Sequence, residues 1–135
     1  MLDKTRFLAR LIGLYCVLVA LLMATQRDAW VAAVDALTHD APLLLLLGVI
    51  TVAAGLALVL THNIWSGGAL TVLVTVIGWL TLAKGLMFWL PPGAVAGLYI
   101  DWLHYPQLYY VYCAFALALG AWLAVGGFRT PPPGR

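Results

Sequence analysis

ALTVLVTVIGWLTLAKGLMFWL, from Ala69 to Leu90, is the stretch whose reading decides the whole chain. A helix of that length, rising 1.5 Å per residue, covers the ~30 Å of a bilayer's hydrocarbon layer. Lys84 is its one formally charged residue, inside the segment Gly78-Trp79-Leu80-Thr81-Leu82-Ala83-Lys84-Gly85. Pro91-Pro92-Gly93 then forms a strong helix stop. Three further apolar runs of similar length flank it, predicting spans over about 7–25, 42–61 and 108–128 beside 69–90.

The composition agrees with that reading. Hydrophobic residues make up 64% of the 135-residue chain and charged residues 9%, far from the ~25% charged of soluble domains. The expected fold is therefore all-α, a polytopic membrane four-helix bundle over residues 1–128, with a Pro-rich tail at 129–135 in polyproline II form. Seven Lys and Arg against five acidic residues give +2, too slight a balance to argue for nucleic acid. Cys16 and Cys113 lie in different apolar runs and show no metal or disulfide spacing. Lys4, Arg6 and Arg10 precede the first run like the start of a signal peptide. The run's length and its want of a small-x-small cleavage site favour a retained span.

Between spans, Ala29 to Leu37 carries Trp30, Val31, Val34 and Leu37 at helical spacing, and Ala94 to Pro106 carries Tyr99, Asp101, Trp102, His104 and Tyr105. Both segments read as short amphipathic helices lying at the interface. Asp40-Ala41-Pro42 opens the second span, with Asp40 as its N-cap. Thr61 to Gly68 is the tight turn between spans two and three, where His62 is expected to cap the carbonyls that end span two. Basic residues at both ends of the chain, against acidic first and third connections, place both termini in the cytoplasm and the amphipathic segments outside.

A gapless shift of 65 positions pairs Gly13 with Gly78, Ala29 with Ala94, His39 with His104, Leu43 with Leu108 and Gly55 with Gly120. The order span, amphipathic helix, span recurs in both halves, predicting a parallel 2+2 repeat about an axis along the membrane normal. Small residues run in stripes along the spans. Gly13, Gly55, Gly78, Gly85 and Gly120 are the predicted packing positions, because helices in lipid associate by close approach over small side chains.

Lys84 admits three readings: a side chain that snorkels to the outer interface and meets Asp40 or Asp101, a polar site inside the bundle with Thr81 and Tyr112 that binds an anion, a quinone carbonyl or a proton, or a contact with a partner. Its counterpart in the first half is Val19. His39 and His104, with Asp40 nearby, form a candidate set for a divalent metal or for haem, though no local spacing demands either, and no cofactor is predicted. No nucleophile elbow, phosphate loop or paired-carboxylate constellation is present, so an enzyme is the least favoured class.

His62-Asn63-x-Trp65 followed by Gly78-Trp79-Leu80-x-Leu82-x-Lys84-Gly85 resembles a pattern in uncharacterised small bacterial four-span inner-membrane proteins. The overall plan is similar to the DoxX-like group. The resemblance implies a bacterial inner membrane and no established activity. The expected role is a non-catalytic structural, accessory or self-associating membrane bundle, its partners being lipid, further copies or a larger membrane complex. The alternatives are a minimal transporter or channel using Lys84, and a metal- or haem-binding redox protein using His39 and His104.

Overall fold

The computed structural model describes residues 2–129; the rest of the predicted tail, 130–135, lies outside them. Helices α1 (Leu2–Thr25), α2 (Arg27–Thr38), α3 (Ala41–Thr61), α4 (Ala69–Met87), α5 (Pro92–Gly97) and α6 (Tyr109–Phe128) follow in order, with a π-helical turn at Leu98–Trp102 after α5. Four of them, α1, α3, α4 and α6, are long and apolar enough to cross a membrane. The described residues contain no strand.

Local chemistry sets most boundaries. Asp40 accepts from the Leu43 N–H at 3.0 Å and caps α3, with Pro42 in the first turn where its missing N–H costs nothing. Gly67 and Gly68 take positive φ, +97° and +120°, in the turn before α4, a conformation that side chains with a Cβ disfavour. α4 ends at Met87, short of the predicted Leu90. The Trp89 N–H bonds the Leu86 carbonyl and the Leu90 N–H bonds that of Met87, so the chain tightens to i→i−3 bonds before Pro91. The predicted helix over 94–106 is likewise shorter than expected. The Leu103 N–H reaches the Leu98 carbonyl to close the π turn, and His104 takes φ +49° and ends the helical path.

The four long helices associate as two antiparallel pairs, α1 with α6 and α3 with α4. Glycines decide how close each pair comes. A Cβ on Gly13 would lie 2.5 Å from the Ala124 nitrogen, and one on Gly120 would lie 2.8 Å from the Cys16 Cβ. In the other pair, a Cβ on Gly55 would lie 2.5 Å from the Leu82 nitrogen, and one on Gly85 2.6 Å from that of Val52. The pairs meet through Ala9, Val74 and Leu123 at the end that carries both chain termini. At the opposite end α2 packs on α5.

Contacts recur at the 65-residue interval. Gly13 on Ala124 is matched by Gly78 on Val59, and Gly120 on Val17 by Gly55 on Leu82. The cluster of Met23, Tyr109 and Trp30 is matched by that of Phe88, Leu44 and Val95.

At the end with the termini, the turn 62–65 is clipped onto α4. The buried His62 ring donates from Nε2 to the Thr71 carbonyl at 3.2 Å. The ring thus serves the first turn of α4 and not the end of α3, where the His62 backbone N–H and the Thr61 hydroxyl bond the Leu58 carbonyl. The Thr75 hydroxyl, fully buried, donates to the Ile64 carbonyl at 2.8 Å and accepts from the Ile64 N–H at 3.1 Å. Asn63 Oδ1 accepts from the indoles of Trp65 (2.8 Å) and Trp79 (3.4 Å). The conspicuous residues of the HNxW and GW motifs are thereby accounted for as one docking device. In the other pair Arg10 donates from Nε to the Gly127 carbonyl at 2.8 Å and lies over the Phe128 ring, closing the C-terminal turn of α6.

These contacts predict a graded glycine series. Gly13→Ala and Gly55→Ala drive a methyl into backbone and should each cost about 1–3 kcal/mol. Gly78→Ala, which meets a side chain at 3.1 Å, should cost less. Gly93→Ala, with nothing within 4 Å, should be neutral or stabilising. Thermal unfolding in detergent reads all four, and equal losses would refute backbone contact as the determinant. Thr75→Val, which leaves the Ile64 N–H without its hydroxyl partner, should cost about 1–3 kcal/mol in the same assay.

Candidate functional site

The largest grouping of polar side chains lies at the α2–α5 end. Tyr105 is its centre: its ring makes edge contacts with Tyr99 (6.1 Å between centroids) and Tyr109 (5.7 Å), and it stacks on Tyr112 at 5.9 Å. Tyr109 in turn meets Tyr110 edge-on at 5.6 Å. Such geometries suit the ring quadrupole and add to the burial of the rings themselves.

Each hydroxyl that bonds in this group finds a backbone carbonyl that local structure leaves open. Tyr109 is fully buried and donates to the Met23 carbonyl at 2.7 Å, tying α6 to the last turns of α1. Tyr112 donates to the Leu103 carbonyl at 2.6 Å and holds the chain just before the left-handed His104. One turn deeper, the Cys113 thiol donates to the Ala20 carbonyl at 3.1 Å.

Arg27 closes the cluster from the α2 side. Its guanidinium lies over Tyr109 (5.7 Å) and Tyr110 (5.9 Å), Nη2 donates to the Pro106 carbonyl at 2.9 Å, and Nη1 pairs with Asp28 at 3.3 Å. This one side chain therefore joins the start of α2 to the loop before α6. Desolvated cation–π contacts of this kind are worth ~2 kcal/mol, exposed ones less.

Lys84 stands outside this cluster, with no hydrogen bond or ring contact to its tyrosines or to Arg27 among the described residues. It lies in the last turn of α4 on an exposed face, its ammonium 5.6 Å from the centre of the Phe88 ring. Thr81 donates to the Ile77 carbonyl one turn back on its own helix at 2.7 Å, and Tyr112 is engaged with Leu103. Among the described residues no hydrogen bond or ion pair joins Lys84 to Thr81, Tyr112, Asp40 or Asp101. Asp101 is exposed.

The histidine candidates are held locally. His39 Nδ1 bonds the Asp35 carbonyl at 2.8 Å and stands 3.9 Å from the Asp35 carboxylate. His104 Nδ1 bonds the Trp102 carbonyl at 3.2 Å, and Asp40 is occupied as the α3 cap. Among the described residues no group of three or more His, Cys, Asp or Glu is placed to hold a metal ion. The five predicted packing glycines, by contrast, are all buried in helix–helix contacts.

The union of Tyr109, Tyr110 and Tyr112 with Tyr99, Tyr105 and Arg27 is not among the groupings read from the sequence. A signal was present, since Tyr105, Tyr109 and Tyr112 follow one another at helical spacing. The architecture is that of a small multi-pass helical membrane protein. No protein-family model, curated protein or solved structure matches the chain.

Burial pushes the Tyr99 phenol up to about 12, and an ionised Tyr105 beside it adds to the rise. Burial also raises Tyr105, with Cys113 contributing. A phenol whose native value exceeds its unfolded value of about 10 keeps its proton longer when folded. Its contribution to stability is then complete below pH ~10 and falls away as pH rises through the native value. Absorbance titration at 295 nm should find one tyrosine ionising near pH 12 in the folded protein, and Tyr99→Phe should remove that step. Detergent-solubilised protein should lose stability above pH ~10, and lose less in Tyr99→Phe.

Proposed function

We propose that the protein is a non-catalytic accessory bundle of a bacterial inner membrane, working through contact with other membrane proteins or with copies of itself. The observation that carries this reading is the way the interior is filled. Glycine-mediated backbone contact seals both helix pairs, and every buried side-chain polar atom described has a hydrogen-bond partner. Among the described residues, packing of this kind favours contact between helices over enclosure of a substrate. Lys84, the one cation in α4, stands on the outer face of that helix.

The chain is further proposed to be a duplication, two parallel halves about a pseudo-two-fold axis along the membrane normal. The recurrence of contacts at the 65-residue interval supports it, and so does the pairing pattern. Exchange of α1 with α4 and of α3 with α6 turns the α1–α6 pair into the α4–α3 pair and keeps the α2–α5 contact. Lys4, Arg6, Arg10 and Arg129 gather at one end, while Asp28, Asp35, Asp40 and Asp101 gather at the other. That asymmetry favours termini in the cytoplasm, with α2 and the α5 segment at the outer interface. The plan also fits the four-span bacterial family that the HNxW and GWLxLxKG segments resemble.

Native mass spectrometry of protein extracted from its own membrane in mild detergent tests the role. A protein partner, or further copies, in fixed ratio is the expected result. A bare monomer at every detergent concentration would overturn it, and a covalently unchanged monomer carrying a small organic mass would point to ligand transport or redox chemistry instead.

A further inference from the structure

An open groove of about 400 Å³ lies where α1 gives way to α2, lined by Thr25, Gln26, Arg27, Asp28, Ala29 and Tyr110. A second groove, of about 340 Å³, shares Gln26 and Ala29 with it and is otherwise lined by Leu22, Trp30 and Ala33. The first is polar and holds a cation; the second is apolar and lies in the angle between Leu22 of α1 and the Ala29, Trp30 and Ala33 face of α2. Continuous polar and apolar grooves at the end of a membrane-length helix match the two parts of a phospholipid. We propose that this pair of grooves seats one anionic phospholipid, its phosphate against Arg27 and an acyl chain beside Leu22, Trp30 and Ala33.

The guanidinium is oriented for such a ligand. Its bonds to the Pro106 carbonyl and to Asp28, and its seat over Tyr109 and Tyr110, fix its plane. They leave its Nε–H and one hydrogen on each terminal nitrogen for an incoming phosphate, whose geometry the guanidinium fork fits. Asp28 is the only acidic residue in the groove, and its side chain is 97% exposed. An ion pair so open to water is weak and screened, so it does not cancel the cation. Thr25 ends the membrane-length helix α1, which places Arg27 at the depth where lipid phosphates lie.

The other half of the molecule supplies an internal control. Its equivalent groove, about 250 Å³, is lined by Leu44, Leu45, Trp89, Pro91 and Pro92 among others, all of them uncharged. Pro92 stands 65 positions after Arg27, and Leu45 stands 65 before Tyr110. One groove therefore has a cation and a phenol where its counterpart has a proline and a leucine. The inference needs only that the chain spans a bilayer and does not depend on the accessory role.

The test is native mass spectrometry of the full-length protein in detergent with equal amounts of phosphatidylglycerol and phosphatidylcholine of the same acyl chains. One basic side chain at an anionic surface supplies about a fivefold preference, which is the excess of phosphatidylglycerol expected on the wild type. Arg27→Gln should abolish the excess, Arg27→Lys, which keeps the charge but loses the fork, should retain only part of it, and Lys84→Gln should leave it unchanged. Pro92→Arg should add a second phosphatidylglycerol, and millimolar inorganic phosphate should not displace the first. No excess on the wild type, an excess surviving Arg27→Gln, or loss of it in Lys84→Gln would each overturn the proposal. Displacement by phosphate would overturn the lipid assignment in favour of a simple anion site. Should Arg27→Gln fail to fold, as its melting would show, Pro92→Arg decides, and no second lipid there counts against the proposal.

Discussion

Close approach of backbones across glycine is the constraint on which the molecule depends. Inside a bilayer two apolar helices gain nothing by hiding from lipid tails, which are as apolar as their own side chains. Association must come from dispersion contacts over matched surfaces. Gly13 and Gly120 supply those for α1 and α6, and Gly55 and Gly85 for α3 and α4. Each pair is in effect a separate backbone-to-backbone dimer. The pairs need little else from one another: Ala9, Val74 and Leu123 join them at one end, and α2 on α5 joins them at the other. Large apolar side chains such as Leu18, Leu60, Leu80 and Phe115 consequently remain on the outside, where the solvent is hydrocarbon.

The long helices were legible because span length and apolar composition are properties of contiguous sequence. Asp40 with Pro42 marks the start of α3, and Gly67-Gly68 marks the turn before α4, each by a local mechanism. The third span overran because Phe88, Trp89 and Leu90 are as apolar as a helix interior, and hydropathy does not register the tightening imposed by Pro91. Which helix pairs with which was not legible. The small-residue stripes announce that close approach will occur, but Gly13 carries no mark naming Ala124 as its partner.

The site residues were legible to different degrees for similar reasons. Lys84 is conspicuous in sequence as a charge among apolar residues, yet the direction it points depends on helix rotation, and that rotation is set by Gly85 facing Val52. With position 85 turned inward, position 84 is carried to the outer face. Thr81 resembled a neighbour for it, but a threonine in a helix has its own i−4 carbonyl within reach and bonds that. The tyrosine cluster depends on Tyr99 and Tyr105 folding back through the π turn and the left-handed His104, a path no local propensity specifies.

If each half descends from one ancestral unit, the positions where the halves differ separate those that keep a shared mechanical role from those that do not. Gly127 packs against Arg10 in one half, and its counterpart His62 bonds the Thr71 carbonyl in the other; both contacts fasten the end of one helix to its partner, by different chemistry. Those substitutions conserve a mechanical role. Arg27 against Pro92, Tyr110 against Leu45 and Lys84 against Val19 do not, because in each case a polar or charged group stands where an apolar one suffices for the same packing. All three polar members lie at the α2–α5 end. On the duplication reading, polar groups carried by one copy alone mark that end as the place where the two halves differ in chemistry, on a frame that both halves build from glycine contacts.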